Sequence, residues 1–300
     1  MAVLLQSKQQ SELIAEQVSR AAADALRTEA WIAPKPGLVD RCDNGAHRDM
    51  DLHTFYRSAE VIAPFLGRMV ACGAKHSDSA DRLKDVFLQA RQIGLEAETA
   101  MFTATGGVNT HKGAIFTLGL LSTAWGCVSA ARAAGRGGQV GEEELLQCAG
   151  GMVAGIVAEE LAADRSGCPT AGARVYRAYG LTGIRGEAER GFPAVRSSGL
   201  PVLRQARKDG LDADARGLQV LLALMTVVED SNVAARGGLS ALRFTRAAAR
   251  RALAAGGVYT AAGRGCIEKM NHEFTDRNLS PGGCADLLAA SLFLDTLGKE

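Results

Sequence analysis

The stretch QSELIAEQVSRAAADALRTEA, residues 10–30, decides the fold class of this chain. Its apolar residues recur every three or four positions with polar residues between them, and they are Leu13, Ile14, Val18, Ala21, Ala22 and Leu26. This spacing places them on one face of an α-helix, so the stretch predicts an amphipathic helix. Pro34 and Pro36 follow, and we expect the helix to end before them because proline disrupts a helix interior.

Helical patterns continue along most of the chain. Further helices fit residues 54–72, 79–102, 112–133, 142–163, 213–229, 238–255 and 258–273. A last helix is expected over CADLLAASLFLDTL (284–297), with Ser280 as its N-cap and Pro281 at its first position. The period-two alternation of β-branched residues that is typical of strands is almost absent. The sequence therefore predicts an all-α protein in which residues 1–300 form a single large helical domain.

One connection between the expected helices is long for a helical protein. GLTGIRGEAERGFPAVRSSG, residues 180–199, is rich in glycine and shows no clear helical period. Helix-to-helix connections are usually shorter than this, so the segment indicates either function or disorder.

Charge and cysteine content narrow the classes of partner and the compartment. The 34 basic and 33 acidic residues give a net charge of +1, so no overall field favours nucleic acid or an anionic membrane. Any anionic ligand must be bound by a local cluster. The seven cysteines are scattered and form no CxxC pair, which is typical of thiols in a reducing compartment. With no signal peptide and no uninterrupted apolar run of membrane-spanning length, we expect a cytoplasmic protein.

The first polar cluster is PKPGLVDRCDNGAHRDMD, residues 34–51, between two expected helices. Its charged or titratable side chains include Lys35, Asp40, Arg41, His47, Arg48, Asp49 and Asp51. Asp49 and Asp51 could place two carboxylates on one side of a turn and hold Mg²⁺, which prefers oxygen ligands. Two acidic residues before a helix more often cap it and complement its dipole.

The second cluster is TGGVNTHKGAIF, residues 105–116, which leads into a long apolar helix. Backbone N–H groups of a glycine-rich helix start, beside Lys112, suit a phosphate group. The spacing is not that of a Walker A loop. In the alternative interpretation Asn109 or Thr110 is a plain N-cap and His111 is a surface residue.

The third and fourth clusters contain isolated carboxylates. VVEDSNVAARGG (227–238) ends an expected helix with Glu229 and Asp230, where negative charge is unfavourable, so either Mg²⁺ or Arg236 is expected to compensate it. NLSPGGCADLLAASLFL (278–294) places Asp286 in the first turns of an apolar helix. That carboxylate is either an interior ligand or a partner of the helix dipole, and the second role is the commoner.

Taken in order, six strings of this sequence resemble the triphosphoribosyl-dephospho-coenzyme A synthase family. They are PKPGLVDRCDNGAHRDMD, TFYRSA, ATGGVNTHKGAIFTLGLL, GEAERGFP, LLALMTVVEDSNVAARGG and NLSPGGCADLLAASLFL. The resemblance extends from about residue 13 to residue 294.

The resemblance implies a transferase that joins ATP to 3′-dephospho-CoA and releases adenine. Its product, 2′-(5″-triphosphoribosyl)-3′-dephospho-CoA, is the precursor of the prosthetic group on the acyl carrier subunit of citrate lyase or malonate decarboxylase. A partner transferase then attaches the group to the carrier. The segment DRCDNGAHRDMD resembles the citrate-lyase branch of the family slightly more closely.

The implied reaction sets chemical requirements for the site. Breaking the C1′–N9 bond of ATP develops oxocarbenium character on the ribose and negative charge on adenine. Carboxylates are needed near the sugar, a proton is needed for adenine, and cations with Mg²⁺ are needed for the triphosphate. The acceptor 2′-hydroxyl needs a general base, for which we consider a carboxylate or His47.

These requirements assign the candidate residues. Around Mg²⁺ and the ribose we expect four acidic residues, Asp49, Asp51, Glu229 and Asp230. Facing phosphates we expect Lys35, Arg41, His111 and Lys112, together with the backbone of Gly106 and Gly107. Asn109 and Asn232 would orient ribose hydroxyls. Arg185 and Glu187, in the long connection, would close over the second nucleotide.

Two other functions fit the same residues. An all-α, Mg²⁺-dependent hydrolase of nucleotide or ADP-ribose N-glycosidic bonds would also place carboxylates at helix ends, without any need for dephospho-CoA. A non-catalytic helical module that binds nucleotide or a carrier protein would use the charged loops as an interaction surface and would tolerate neutral residues at Glu229 and Asp230.

Overall fold

The structure is a computed structural model that describes residues 2–76, 82–136, 138–162 and 170–298. The described residues contain helices and no strand, which confirms the predicted all-α fold. The long helices are α1 (Ala2–Trp31), α2 (Leu52–Ala74), α3 (Leu83–Ala104), α4 (Lys112–Ala131), α5 (Glu142–Met152), α6 (Ala171–Tyr179), α7 (Gly183–Glu189), α8 (Leu200–Lys208), α9 (Ala213–Val227), α10 (Ser231–Ala254), α11 (Ala261–Asp276) and α12 (Gly282–Leu297). Short helical turns lie at Arg132–Arg136, Val157–Ala162, Val195–Gly199 and Gly257–Tyr259.

Most of the predicted helices are confirmed. Helix α1 ends at Trp31, before Pro34, and α2, α4 and α9 match the predicted ranges closely. The predicted start of the third helix at residue 79 lies outside the described residues, and α3 begins at Leu83. The helix predicted over residues 142–163 is interrupted after Met152. The helix predicted over residues 238–255 is the part of α10 that follows a kink at Gly237 and Gly238.

Two predictions about local structure are wrong. The segment 180–199 is not an irregular loop, because it contains α7 and the turn Val195–Gly199. Ser280 is not the N-cap of α12, since that helix begins at Gly282 with Pro281 before it and no side-chain cap from its own segment. The hydroxyl of Ser280 lies 2.8 Å from His47 Nε2 instead. A side chain from the start of another helix accepts a backbone N–H group at the start of α12, as described below.

Helices α4 and α12 form the centre of the protein. Both are apolar on nearly all sides, and α12 packs against α1, α4 and α9. By length and composition alone, Lys112–Gly135 and Glu142–Ala162 are apolar enough to cross a membrane, and the bent pair α9–α10 would be a third candidate. In the protein, 78% of the most apolar stretch of Lys112–Gly135 is buried by neighbouring helices. Packing in the interior therefore explains why this helix is so apolar.

The cysteines of the described residues are free thiols. Six of the seven cysteines are free thiols in the described part of the chain, and Cys168 lies outside the described residues. The packing of α12 brings its first turn next to the starts of α4 and α10. The polar residues that precede these helices in the sequence therefore meet in one region.

Candidate functional site

A cleft of about 1300 Å³ opens where these helix starts meet. Its wall includes residues 45–50 of the opening loop and 109–116 at the start of α4. The start of α10 contributes Ser231, Asn232, Ala235 and Arg236, and the region around the start of α12 contributes Ser280, Gly282, Gly283, Ala285 and Asp286. The predicted site residues on this wall are Lys35, His47, Asp49, Asn109, His111, Lys112, Arg185 and Asn232. Residues from all four sequence clusters thus contribute to a single cleft.

The remaining predicted residues lie outside the cleft wall, and they are Arg41, Asp51, Gly106, Gly107, Glu187, Glu229 and Asp230. Glu187 is buried and accepts the backbone N–H of Ala194 at 3.1 Å. Arg41 forms an ion pair with Asp214 at 2.6 Å and donates a hydrogen bond to the carbonyl of Trp31. The hydrogen bond with Asp214 raises the pKa of Arg41. Gly106 and Gly107 have positive φ angles of 66° and 90°, and they form the turn that ends α3.

Asp51 caps helix α2. Its Oδ1 accepts hydrogen bonds from the backbone N–H of Thr54 at 2.7 Å and from the Thr54 hydroxyl at 2.7 Å. The backbone N–H of Asp51 donates in return to Thr54 Oγ1, which completes a capping box. The hydrogen bonds from Thr54 lower the pKa of Asp51. Of the two interpretations that the sequence allowed for this residue, the structure displays the cap.

Asp230 joins two helix starts in the interior. Its Oδ1 accepts the N–H groups of Asn232 and Val233 at 2.9 and 3.2 Å, and its Oδ2 accepts the N–H of Cys284 at 2.9 Å. Only 1% of the residue is exposed, and burial raises the pKa of Asp230 although the hydrogen bonds oppose the shift. Asp230 therefore begins α10 and supplies the cap that α12 lacks locally.

The expected position of Glu229 and Asp230 at a helix C-terminus is wrong. Helix α9 ends at Val227, and Val228 is extended. Glu229 lies in the link between two helices and accepts weak hydrogen bonds from the N–H and hydroxyl of Thr182 at 3.3 and 3.4 Å. A carboxylate at the start of α10 is favoured by the helix dipole, so no compensating cation is required there.

The four predicted Mg²⁺ ligands do not form one cluster. Among the described residues no group of three histidine, cysteine or acidic side chains could hold a metal ion. Asp51 and Asp230 are bound to helix N–H groups, while the exposed Asp49 carboxylate lies 3.9 Å from His47 Nδ1. The described residues thus do not fit a metal ion held by protein ligands alone.

Lys35 holds the opening loop against α1. Its Nζ lies 2.5 Å from Glu29 Oε1 and 2.6 Å from the carbonyl oxygen of Glu29, and only 1% of Lys35 is exposed. Asp40 accepts the backbone N–H groups of Lys35, Cys42 and Asp43, which fixes the turn that follows. Lys35 lines the cleft, but its charge is already paired with Glu29.

His47 has the properties of a neutral imidazole. Its Nε2 lies 2.8 Å from Ser280 Oγ, and its Nδ1 lies 3.5 Å from Arg236 Nη2. Burial lowers the pKa of His47, and Arg236 lowers it further. Arg236 is itself held by the carbonyl oxygens of Ala46 and Asn278. A neutral imidazole on the cleft wall can accept a proton, as the general-base assignment requires.

His111 is buried at the start of α4, not exposed. Its Nδ1 lies 2.7 Å from Ser58 Oγ, which also accepts a hydrogen bond from Thr110 Oγ1 at 2.7 Å. Its Nε2 has no partner among the described residues, and Phe55 packs edge-on against the ring. Burial lowers the pKa of His111 to about 3, so the ring is uncharged at neutral pH and supplies no positive charge to a phosphate.

Five acidic residues of the cleft wall were missed as site residues, and they are Glu29, Glu98, Glu160, Asp276 and Asp286. Asp286 was noted in the sequence but was not assigned to the site, and Glu29 was not noted. Both line the cleft beside α4. Glu29 had a local signal, because it is an acidic residue in the last turn of α1 directly before the PKPG loop. Asp286 could not be distinguished by local pattern from an ordinary dipole partner.

Fold and cleft define an all-α protein with a large cleft lined by both basic and acidic side chains. The profile of the ATP:dephospho-CoA triphosphoribosyl transferase family, CitG, matches residues 15–300. The chain belongs to this family, which confirms the resemblance found in its sequence. No solved structure matches the chain.

Curated relatives cover nearly the whole chain. A probable 2-(5''-triphosphoribosyl)-3'-dephosphocoenzyme-A synthase of Salmonella gallinarum is 41% identical over 95% of this chain and 92% of its own length. The 2-(5''-triphosphoribosyl)-3'-dephosphocoenzyme-A synthase of Pectobacterium atrosepticum is 42% identical over 92% of this chain and 88% of its own length. The 2-(5''-triphosphoribosyl)-3'-dephosphocoenzyme-A synthase of Klebsiella pneumoniae is 40% identical over 94% of this chain and 91% of its own length.

Proposed function

We propose that this chain makes 2′-(5″-triphosphoribosyl)-3′-dephospho-CoA from ATP and 3′-dephospho-CoA and releases adenine. One observation carries the proposal: the family motifs, which are far apart in the sequence, supply residues to one cleft of about 1300 Å³. A cleft of this volume exceeds that of most drug-sized ligand pockets, which suits two nucleotide substrates.

The cleft offers hydrogen-bond donors and cations for a triphosphate. Lys112 and the exposed backbone of the α4 start lie on one wall, and Arg48, Arg185 and Arg236 lie on others. Lys112 and Arg185 are paired with Glu98 and Glu160 in the structure, at 2.7 and 2.6 Å. In this proposal the triphosphate exchanges with those carboxylates, since phosphate offers arginine and lysine more acceptor oxygens.

His47 is the general base of the proposal. It would take the proton of the acceptor 2′-hydroxyl as that oxygen attacks C1′ of ATP. The 2.8 Å contact with Ser280 and the neutral state of the ring support this role. Asn109 and Asn232, both on the cleft wall, remain the candidates for binding ribose hydroxyls.

Further parts of the proposal concern ions, partners and location. We place Mg²⁺ on the triphosphate of ATP, because Mg²⁺ usually retains several waters and shares phosphate oxygens. The product would serve the acyl carrier subunit of citrate lyase or malonate decarboxylase, through a downstream transferase. We propose that the protein acts in the cytoplasm, where ATP is supplied.

The test is an incubation of the purified chain with ATP, Mg²⁺ and 3′-dephospho-CoA, followed by mass spectrometry. Adenine and the adduct are expected in equal amounts. Adenine without adduct would favour the hydrolase, and nucleotide binding without adenine would favour the non-catalytic module. The variant Lys112→Met should weaken ATP binding by about tenfold, whereas Lys269→Met, an exposed lysine of α11, should leave it unchanged.

A further inference from the structure

Four carboxylates on the cleft wall are at least half-buried, and one of them differs from the rest. Glu29 is paired with Lys35, Glu98 with Lys112, and Glu160 with Arg185 and Arg91. Asp286 makes no hydrogen bond or ion pair within the part of the chain that the structure describes. Because a carboxylate removed from water is costly unless paired, the unpaired Asp286 calls for a functional explanation.

Asp286 is held directly against the start of α4. A Cβ atom on Gly113 would lie 2.0 Å from Asp286 Oδ2, so only glycine allows this approach. Gly113 and Asp286 both line the cleft. The contact therefore fixes the carboxyl group on the cleft wall, against the first turn of α4.

The groups around Asp286 favour its protonated form. Glu29 with its partner Lys35 approaches from α1, Asp230 lies at the start of α10, His111 precedes α4, and Cys284 is on α12 itself. The arginine that α8 directs at α12, Arg207, is bound to Asp295. Burial raises the pKa of Asp286 well above its usual range, and the charges of Asp230 and Glu29 raise it further.

A metal ion explains these observations less well than a proton does. Mg²⁺ needs several oxygen ligands, whereas Asp230 is saturated by three N–H groups and Glu29 is bound to Lys35. A proton donor needs no second ligand. His111 is neutral and Lys35 is paired with Glu29, so neither of these two side chains supplies a free positive charge to the cleft.

We propose that Asp286 is a catalytic acid that protonates adenine as it leaves the ribose of ATP. This inference rests on the proposed function. The C1′–N9 bond breaks with its electron pair going to the base, and the carboxyl proton of Asp286 passes to a ring nitrogen of adenine. The 2′-oxygen of dephospho-CoA forms the new bond to C1′ and loses its proton to His47. That proton returns to Asp286 through solvent, so one proton passes overall from the hydroxyl to adenine.

The test compares two substrates with an isosteric variant, Asp286→Asn. With ATP the variant should release adenine about 100-fold more slowly than the wild type. With N7-methylated ATP, whose base leaves without needing a proton, the variant should retain most of the wild-type rate once the enzyme-free rate is subtracted. Asp24→Asn, an exposed aspartate of α1, is the matched control and should behave as wild type with both substrates.

The outcomes separate the proposals. Equal losses with both substrates would show that Asp286 binds a metal or supports the fold, and the inference would be overturned. Loss of less than about threefold with ATP would also overturn it. A wild-type protein that forms no adduct would instead refute the proposed function. In the wild type, kcat/KM should decline as pH rises through the pKa of Asp286, and Asp286→Asn should lack that alkaline decline.

Discussion

Asp51 and Asp230 perform the same local task in opposite surroundings. Each accepts N–H groups at the start of a helix, Asp51 for α2 and Asp230 for α10. Asp51 is exposed and its partners lie within its own turn, whereas Asp230 is 1% exposed and also binds Cys284 at the start of α12. The exposed cap stabilises one helix end, while the buried cap fixes the relative position of two helices.

The difference shows how burial determines the contribution of a capping side chain to the stability of the protein. The Asp51 carboxylate is exposed and both of its donors belong to one residue, Thr54, so its loss affects a single helix start. Two of the three N–H groups that Asp230 binds, those of Val233 and Cys284, belong to buried residues, so water cannot readily replace the carboxylate there. Because α12 carries Asp286, the buried cap also positions the proposed catalytic acid.

The largest effect is expected for Asp230→Ala. Two buried N–H groups, those of Val233 and Cys284, would lose their acceptor at a cost of about 1–3 kcal/mol each, so we expect the free energy of unfolding to fall by at least about 2 kcal/mol. Urea unfolding followed by circular dichroism measures this. Asp212→Ala, which removes an exposed cap of α9 that binds one N–H, is the control and should cost about 1 kcal/mol. A loss no greater than the control's would refute the role of Asp230 as a junction.

A smaller effect on stability, but a clear one on activity, is expected for Gly113→Ala. The new methyl group must displace the Asp286 carboxyl group, which overpacks the junction by about 1–3 kcal/mol. Adenine release should fall by at least about tenfold, because a displaced acid no longer meets the base. Gly265→Ala, in a helix interior with open space, should instead stabilise the protein by about 0.5–1 kcal/mol. Unchanged turnover in Gly113→Ala would mean that the position of Asp286 is unimportant.

The same contrast explains how much could be predicted from the sequence. Helices α1, α2, α4 and α9 were predictable because their apolar periodicity is local. Asp51 could be interpreted as a cap because acidic residues directly before a helix commonly cap it. Asp230 was misplaced at a helix end because its decisive partner, Cys284, is distant in the sequence. The start of α12 was misjudged for the same reason, since its cap comes from another helix.

Glycine was the other source of error. The segment 180–199 resembled a loop because glycine has low helix propensity, yet α7 forms there. Gly183, Gly186 and Ala188 are buried in that helix, so tertiary packing outweighs intrinsic preference. The cleft as a whole could be anticipated from the order of the motifs. The pairing of its carboxylates could not, because it depends on contacts between α1, α4 and α12.

A moderate effect is expected for Asp51→Ala. Loss of this capping box should lower the free energy of unfolding by about 1 kcal/mol, because only the start of α2 loses its side-chain cap. Asp51→Asn, which keeps an oxygen acceptor, should recover most of that loss. Comparable unfolding midpoints for Asp51→Ala and Asp230→Ala would remove the distinction between exposed and buried caps.

The smallest effect is the pH dependence of the two caps, which should have opposite signs. The folded pKa of Asp51 is lowered, so its stabilisation is present above the unfolded pKa of about 3.9 and is lost as pH falls through the folded value. The folded pKa of Asp230 is raised, so protonation favours the folded state and stability is lost as pH rises through that value.

The difference between wild type and Asp51→Ala in urea midpoint should therefore shrink below about pH 4. The difference between wild type and Asp230→Asn should instead grow as pH falls from neutral, because only the wild type gains the bound proton. If both differences shrank together, burial would not govern the titration of Asp230.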